Sequence, residues 1–98
     1  MTPPASPAPL AIEHRADSHR FEAVVDGARA ELEYRLDAGV MTITHTGVAR
    51  AIEGRGIAAA LTQAALAHAR AQGWRCTPAC SYARGYMRRH PDTSVLLA

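Results

Sequence analysis

Apolar and polar residues alternate along the first half of the chain, and this period of two predicts β-strands. From Arg20 the alternation runs to Asp26-Gly27, a dipeptide that favours a two-residue hairpin turn. It resumes over residues 30–36, and a third, β-branched strand follows over 40–48 after a second turn that contains Gly39. The pattern therefore predicts a meander of three antiparallel strands.

The second half begins with a helical period. Residues 54–72 contain no proline, are rich in alanine and repeat apolar positions at helical spacing, and Gly73 follows as a stop signal. A short strand is expected over 74–77 and a second helix over 81–89. Since a strand that follows such a helix returns parallel to the strand before it, the sheet should be mixed. The order predicts an α/β fold (α+β with a mixed sheet): antiparallel meander, helix, parallel strand and short helix.

The length of 98 residues suits one compact domain. Residues 1–19 are expected to be a flexible leader and lead-in, because they begin with a stretch rich in proline and alanine, and residues 20–98 should form the domain. No stretch reaches the roughly 20 apolar residues that span a bilayer, and the start does not resemble a secretory signal. With only two cysteines, the chain is expected to be cytoplasmic and to have no membrane partner.

The charge pattern excludes several kinds of site. All eleven basic residues are arginine, so a phosphate-binding loop that needs lysine and covalent catalysis by a lysine amine are both excluded. The formal charge is only +2, the arginines are dispersed, and one Phe, one Trp and three Tyr are the only aromatic residues. A nucleic-acid partner is therefore not expected.

Gly54 and Gly56 stand between the third strand and the first helix. Glycine allows backbone amides to approach a ligand closely, and a helix N-terminus adds unpaired amides and the positive end of its dipole. The loop is therefore a candidate phosphate cradle, although an ordinary helix start without a ligand explains the same glycines. A dinucleotide fingerprint is excluded, because no third glycine follows and the preceding strands are antiparallel.

Cys80 lies between a predicted strand end and a predicted helix start, where the helix dipole favours a thiolate. The alternative is a buried, unreactive cysteine. Cys76 is assigned to the core, and along an extended segment the two cysteines lie too far apart to form a disulfide. Two thiols without a further ligand at zinc spacing predict no metal site.

Several short segments together form a pattern more specific than the glycines alone. They are Phe21-Glu22-Ala23, residues 30–36, His45-Thr46-Gly47-Val48, residues 53–61, and Pro78-Ala79-Cys80-Ser81-Tyr82 with His90-Pro91 behind it. In combination they resemble the GCN5-related acetyltransferases, and among these the very small proteins of the YjdJ type. The resemblance covers the chain from about Arg20 to Pro91 and implies a minimal version of that fold, with acetyl-coenzyme A as the co-substrate.

The resemblance also implies where coenzyme A binds. In that superfamily the pattern Gln/Arg-x-x-Gly-x-Gly/Ala holds the pyrophosphate through loop amides, and here the three positions are Glu53, Gly56 and Ala58. Glu53 departs from the pattern and removes a cationic contact, for which Arg50 or Arg55 is expected to compensate. The implied cofactor-binding residues are Val48, Gly54, Arg55, Gly56, Ile57, Ala58 and Ala59.

Three catalytic candidates follow from the same resemblance, each with a purely structural role as its alternative. Cys80 would carry a transient acetyl group or lie beside the thioester, and Tyr86, or its neighbour Tyr82, would protonate the departing thiolate. His45 would accept the amine proton, since an imidazole titrates near neutrality. Many of the small relatives carry an acidic residue where this chain has Gly47, so a carboxylate base is missing at that position.

These features predict an acetyl-coenzyme A-dependent N-acetyltransferase that uses no metal. Its acceptor is an amine of a small molecule or a protein, which the sequence does not identify. The alternative is a non-catalytic coenzyme A binding module or regulatory subunit, which Glu53 and Gly47 favour. A monomer or a weak homodimer is expected.

Overall fold

The computed structural model describes residues 10–98 and contains one five-stranded sheet with two α-helices. The strands lie side by side in chain order, antiparallel from β1 to β4, and β5 runs parallel to β4. Their bounds are Ile12–Arg15 (β1), Arg20–Val25 (β2), Ala28–Asp37 (β3), Val40–Val48 (β4) and Arg75–Pro78 (β5). The helices are Ile57–Gln72 (α1) and Ser81–Arg89 (α2), and short 3-10 turns cover Ala16–Ser18, Arg50–Ile52 and Pro91–Leu96. The predicted mixed fold is confirmed.

Both hairpins of the predicted meander are confirmed, and their turns have the expected backbone. Asp26 and Gly27 join β2 to β3 with φ angles of 50° and 76°, and Ala38 and Gly39 join β3 to β4 with 49° and 77°. Two successive left-handed residues match the right-handed twist of the flanking strands. The β3–β4 turn fixes the strand register as far as the Tyr34–Ile43 pair, beyond which the register shifts by one residue.

The sheet begins earlier than the sequence analysis predicted. Strand β1 pairs with β2, whereas no strand was predicted before Arg20. The reason is that His14 occupies the core-facing position of β1, where its ring stacks on Phe21 at 4.2 Å. A histidine in an apolar position, in a strand of only 4 residues, does not produce a readable alternation. The predicted leader over residues 1–9 lies outside the described residues.

Helix α1 starts at Ile57, three positions after the predicted start at Gly54. Gly54 and Gly56 have φ angles of 79° and 76°, which belong to a loop and not to a right-handed helix. At the other end, Gly73 closes α1 in a left-handed conformation as predicted. Helix α2 has the predicted bounds, while the 3-10 turn Pro91–Leu96 was not predicted.

The core lies on one face of the sheet only. Leu32, Met41, Ile43 and Cys76 point from the strands toward α1 and α2, and all are fully buried. On the other side, which we call the open face, the strands carry Glu22, Arg29, Glu31, Glu33 and His45. No described helix covers the open face. Alternation along each strand therefore separates a packed side from a charged side.

None of the helices formed by residues 10–98 is long and apolar enough to cross a membrane.

Candidate functional site

The two parallel strands separate halfway along β4. They pair only from Val40–Arg75 to Ile43–Pro78. The amides of Ala79 and Cys80 then both donate to the Ile43 carbonyl, at 3.0 and 3.1 Å, and the chain turns into α2. Residues 44–48 consequently pair with β3 alone, and within the described part of the chain no strand covers their other edge. We call the opening between residues 44–48 and the start of α2 the slot.

The glycine loop adjoins the slot at the N-terminus of α1. Gly56 is the N-cap residue, and no side chain caps the first turn of the helix. The first amides of α1 are thus available to a ligand, because an α-helix cannot satisfy its own first N–H groups. A cavity of about 290 Å³ opens there, lined by Val48, Ile52, Glu53, Gly54, Gly56, Ile57, Ala58, Ala59 and Tyr82.

Arg55 differs from the other predicted loop residues because it does not line this cavity. Its Nη1 donates to Oδ2 of Asp26 at 2.6 Å, so its guanidinium is directed toward the β2–β3 turn. Asp26 thereby ties that turn to the loop. The predicted role of Arg55 in cofactor binding stays a prediction.

Cys80 and Thr46 meet across the slot. Cys80 is the N-cap of α2, where its Sγ accepts the Ala83 amide at 3.4 Å and lies 3.6 Å from Oγ1 of Thr46. The side chain is half-buried. Cys76 is fully buried, and burial, with a smaller contribution from Cys80, raises the pKa of its thiol to about 11. Of the two thiols, Cys80 is the one that a ligand in the slot can reach.

His45 lies on the opposite face of the sheet from Cys80. The β3–β4 register shifts between Glu33 and Tyr34, so that Thr44 is inserted as a bulge and His45 pairs with Glu33. Thr46 pairs with the buried Leu32 and faces the helices. Cys80 and His45, which the sequence suggested as partners in one site, therefore flank β4 from two sides.

Glu31 is a neighbour of His45 that the sequence analysis did not select. Its Oε1 lies 3.7 Å from Nε2 of His45, and its cross-strand partner in β4 is Gly47. In the sequence, Glu31 is one of several polar residues that alternate along β3. Only the pairing register distinguishes it from the others.

Tyr86 does not line the loop cavity, and its role as the proton donor to the departing thiolate stays a prediction. Tyr86 is only 6% exposed, and its ring stacks on the His90 ring with 4.0 Å between the ring centroids. It lines a separate cavity between α1 and the Pro91–Leu96 turn. Burial raises its pKa, with smaller contributions from Asp92 and Tyr82. A spacing of four residues rotates a side chain by about 40° around a helix, and that offset separates the two tyrosines. Tyr82 is the tyrosine that lines the loop cavity.

Within residues 10–98 there is no group of three or more His, Cys, Asp and Glu side chains that could hold a metal ion.

Comparisons with known proteins agree on one family. A family model described as GCN5-related N-acetyl-transferase matches residues 20–96. The solution NMR structure of a GCN5-like N-acetyltransferase candidate from Staphylococcus aureus is similar to this chain with a TM-score of 0.73 and 26% identity, over 93% of this chain and 90% of that one. The search of curated proteins found no match. Membership of the YjdJ-type subgroup stays a prediction.

Proposed function

Because the chain belongs to the GCN5-related N-acetyltransferase family, we propose that it transfers the acetyl group of acetyl-coenzyme A to an amine. The pyrophosphate binds at the N-terminus of α1, and the pantetheine arm lies in the slot with its thioester near Thr46 and Cys80. The observation that carries this proposal is the direct connection between an uncapped helix N-terminus and an unpaired strand edge.

The loop suits a pyrophosphate for electrostatic and steric reasons. Backbone amides and the helix dipole favour an anion, and no acidic residue lies in the first turn of α1. Gly54 and Gly56 adopt left-handed conformations and have no side chains to obstruct the approach. Glu53 is the one acidic residue that lines the cavity, and its charge is the feature that opposes an anion there.

The slot suits the pantetheine arm because it offers a free strand edge. The amide groups of an extended arm can pair with the backbone of residues 44–48, as an added strand would. Cys80 and Thr46 would then lie beside the thioester. Because Cys80 is half-buried, a thioester beside it would be partly shielded from water, which would reduce its hydrolysis.

The reaction is a direct aminolysis in this proposal. The amine nitrogen forms a bond to the acetyl carbon, the bond from that carbon to the coenzyme A sulfur breaks, and sulfur leaves as a thiolate that takes up a proton. The amine loses its proton to His45, which is exposed on the open face. Acyl donor and amine would thus reach the reacting carbon from opposite sides of β4.

The proposed binding site is tested by replacing Gly56 with asparagine. Gly56→Asn tolerates the left-handed backbone better than a branched residue but adds a side chain to the cavity. We expect wild-type protein to gain thermal stability from acetyl-coenzyme A without magnesium, and Gly56→Asn to lose most of that gain. Differential scanning fluorimetry over a range of ligand concentrations measures the effect.

Gly73→Asn is a matched control for Gly56→Asn. Gly73 has a φ of 73°, no neighbour within 4 Å of an added Cβ, and lies at the other end of the same helix. It should lower basal stability by a comparable amount and keep the full gain from the ligand. Equal gains in Gly56→Asn and Gly73→Asn would refute the assignment of the loop.

Turnover is tested separately from binding. Release of coenzyme A thiol is measured with acetyl-coenzyme A and a panel of three amine probes: spermidine, a peptide with an internal lysine, and a peptide with a free N-terminus. Release that depends on one of these amines is the expected result. Binding without any release would instead assign the chain to the alternative class of non-catalytic coenzyme A binding modules.

A further inference from the structure

We propose that Glu31 is a positioning residue for acetyl transfer: its carboxylate lies beside the His45 imidazole near Gly47 and stabilises the positive charge that His45 acquires from the amine. This inference rests on the proposed function. It adds a residue of β3 to the site, and it explains why position 47 has no side chain.

The bulge in β4 determines the face on which His45 lies. In a regular strand His45 would share a face with Ile43, which is buried in the core. The extra residue Thr44 reverses this alternation and brings His45 onto the open face. The same point of β4 is where pairing with β5 ends. The bulge that turns His45 to the open face therefore lies next to the beginning of the slot.

The His45 ring lies in the space that a side chain at position 47 would occupy. A Cβ atom at this position would lie 2.8 Å from Nε2 of His45 and 3.4 Å from Oε1 of Glu31. Gly47 is not among the glycines with a positive φ, so the backbone does not require glycine here. The imidazole instead uses the room that a side chain would fill. Glycine at position 47 lets His45 lie across the strand toward Glu31.

The ion-pair partner of Glu31 differs from those of the neighbouring carboxylates on the open face. Glu22 pairs with three arginines and Glu33 pairs with Arg20, whereas the only ion-pair partner of Glu31 among residues 10–98 is His45. The carboxylate is therefore not neutralised by a guanidinium. An exposed ion pair of this kind contributes little to the free energy of folding.

Transfer of the amine proton to His45 strengthens the interaction of the ring with Glu31. At 3.7 Å the contact between Nε2 and Oε1 is longer than a hydrogen bond, so His45 and Glu31 are close but not locked together. When the amine attacks, Nδ1 accepts its proton and Nε2–H faces the carboxylate. The resulting imidazolium is attracted to Glu31 more strongly than the neutral ring is. The attraction thus increases as the acetyl–nitrogen bond forms, which is the condition for a gain in kcat.

The test compares Glu31→Gln with Glu33→Gln, a neighbouring carboxamide substitution on the same face. With the amine probe that wild-type protein uses best, Glu31→Gln should lower kcat about fivefold and leave the KM for acetyl-coenzyme A unchanged. His45→Asn should cause a loss at least as large. Glu33→Gln should change kcat less than about twofold, since the Glu33 carboxylate makes its ion pair with Arg20 and the His45 ring makes its ion pair with Glu31.

A carboxylate transfer distinguishes a positioning role from a structural one. The double variant Glu31→Gln with Gly47→Asp moves the acid to the opposite residue of the pair, where the His45 ring must shift because the added Cβ would approach its Nε2. We expect it to restore kcat to at least about half of the wild-type value, whereas Gly47→Ala in the Glu31→Gln background should restore none of the loss.

Each alternative outcome has a separate meaning. Wild-type kcat in Glu31→Gln or in His45→Asn would overturn this inference and leave the proposed function standing. If Glu31→Gln loses the same fraction of the thermal stabilisation by acetyl-coenzyme A as of kcat, Glu31 supports the fold of the site. That result would also overturn this inference. If wild-type protein binds acetyl-coenzyme A but releases no thiol with any of the three probes, the proposed function fails and the inference fails with it.

Discussion

At the scale of single residues, Cys76 and Cys80 show how position outweighs residue type. They are separated by one short segment, yet Cys76 points from β5 into the core and Cys80 caps α2 at the edge of the slot. Desolvation favours the neutral thiol and holds the pKa of Cys76 at about 11. At neutral pH the two thiols should therefore react at very different rates.

We expect iodoacetamide at pH 7.5 to alkylate Cys80 first and to leave Cys76 unmodified in the folded protein. Peptide mass spectrometry after timed quenching measures both rates, and acetyl-coenzyme A should protect Cys80 by filling the slot. Denatured protein is the control, because there both thiols are exposed and should react alike. Faster alkylation of Cys76 in the folded state would contradict the assignment.

The role of Cys80 in the reaction is tested best with serine. Cys80→Ser keeps an N-cap acceptor for the Ala83 amide, so helix α2 should retain its start while the thiol is lost. Direct aminolysis predicts that Cys80→Ser keeps turnover within about tenfold and that wild-type protein carries no acetyl group after incubation with acetyl-coenzyme A. An acetylated Cys80 peptide, together with loss of turnover in Cys80→Ser, would instead establish a covalent intermediate.

At the scale of elements, β1 is held to the rest of the fold by His14. Its ring stacks on Phe21 and meets His68 of α1 edge-on at 4.4 Å, and its Nε2 lies 2.6 Å from the Tyr34 hydroxyl. Burial raises the pKa of Tyr34, so its hydroxyl stays protonated beside the His14 ring. Burial, and then the proximity of His68 and His19, lower the pKa of His14 below 6.5. The junction of β1 with α1 thus depends on an uncharged His14.

This junction makes stability depend on pH. A histidine whose pKa is lower in the folded than in the unfolded state favours folding above the unfolded value, and that contribution is lost as the pH falls below about 6.5. We expect the melting temperature to fall between pH 7 and pH 5, and to fall less in His14→Phe, which keeps a ring against Phe21 without a titrating group. An unchanged slope in His14→Phe would contradict the prediction.

At the scale of the whole molecule, one-sided packing gives the sheet two different surfaces. The two helices build a core against one side of the sheet, and the slot opens beside α2 on that side. The other side carries the carboxylates and His45. In our proposal acetyl-coenzyme A uses the first surface and the amine uses the second. The two meet only where β4 and β5 separate, so the separation of these strands is the central feature of the proposed enzyme.

The sequence by itself determined the elements and most of their order. Alternation predicted β2 to β4, Asp26-Gly27 predicted the first turn, and alanine content with Gly73 predicted α1, because these signals are local and need no distant partner. The glycine loop was also predicted correctly as a loop feature, because its two glycines are a local signal. The family was identified from segments spread along the chain, before any contact between them was known.

Only the tertiary structure decided which residues share a site. The bulge at Thr44 has no sequence signal, yet it separates His45 from Cys80 and brings His45 to Glu31. Helix packing assigned Tyr82 and not Tyr86 to the loop cavity, and the ion pair with Asp26 drew Arg55 away from it. Strand register and helix rotation depend on packing over the whole core, and a shift of one residue changes the face on which a side chain lies. A local pattern contains the residue types of a site, but the neighbours of each residue are set by this long-range packing.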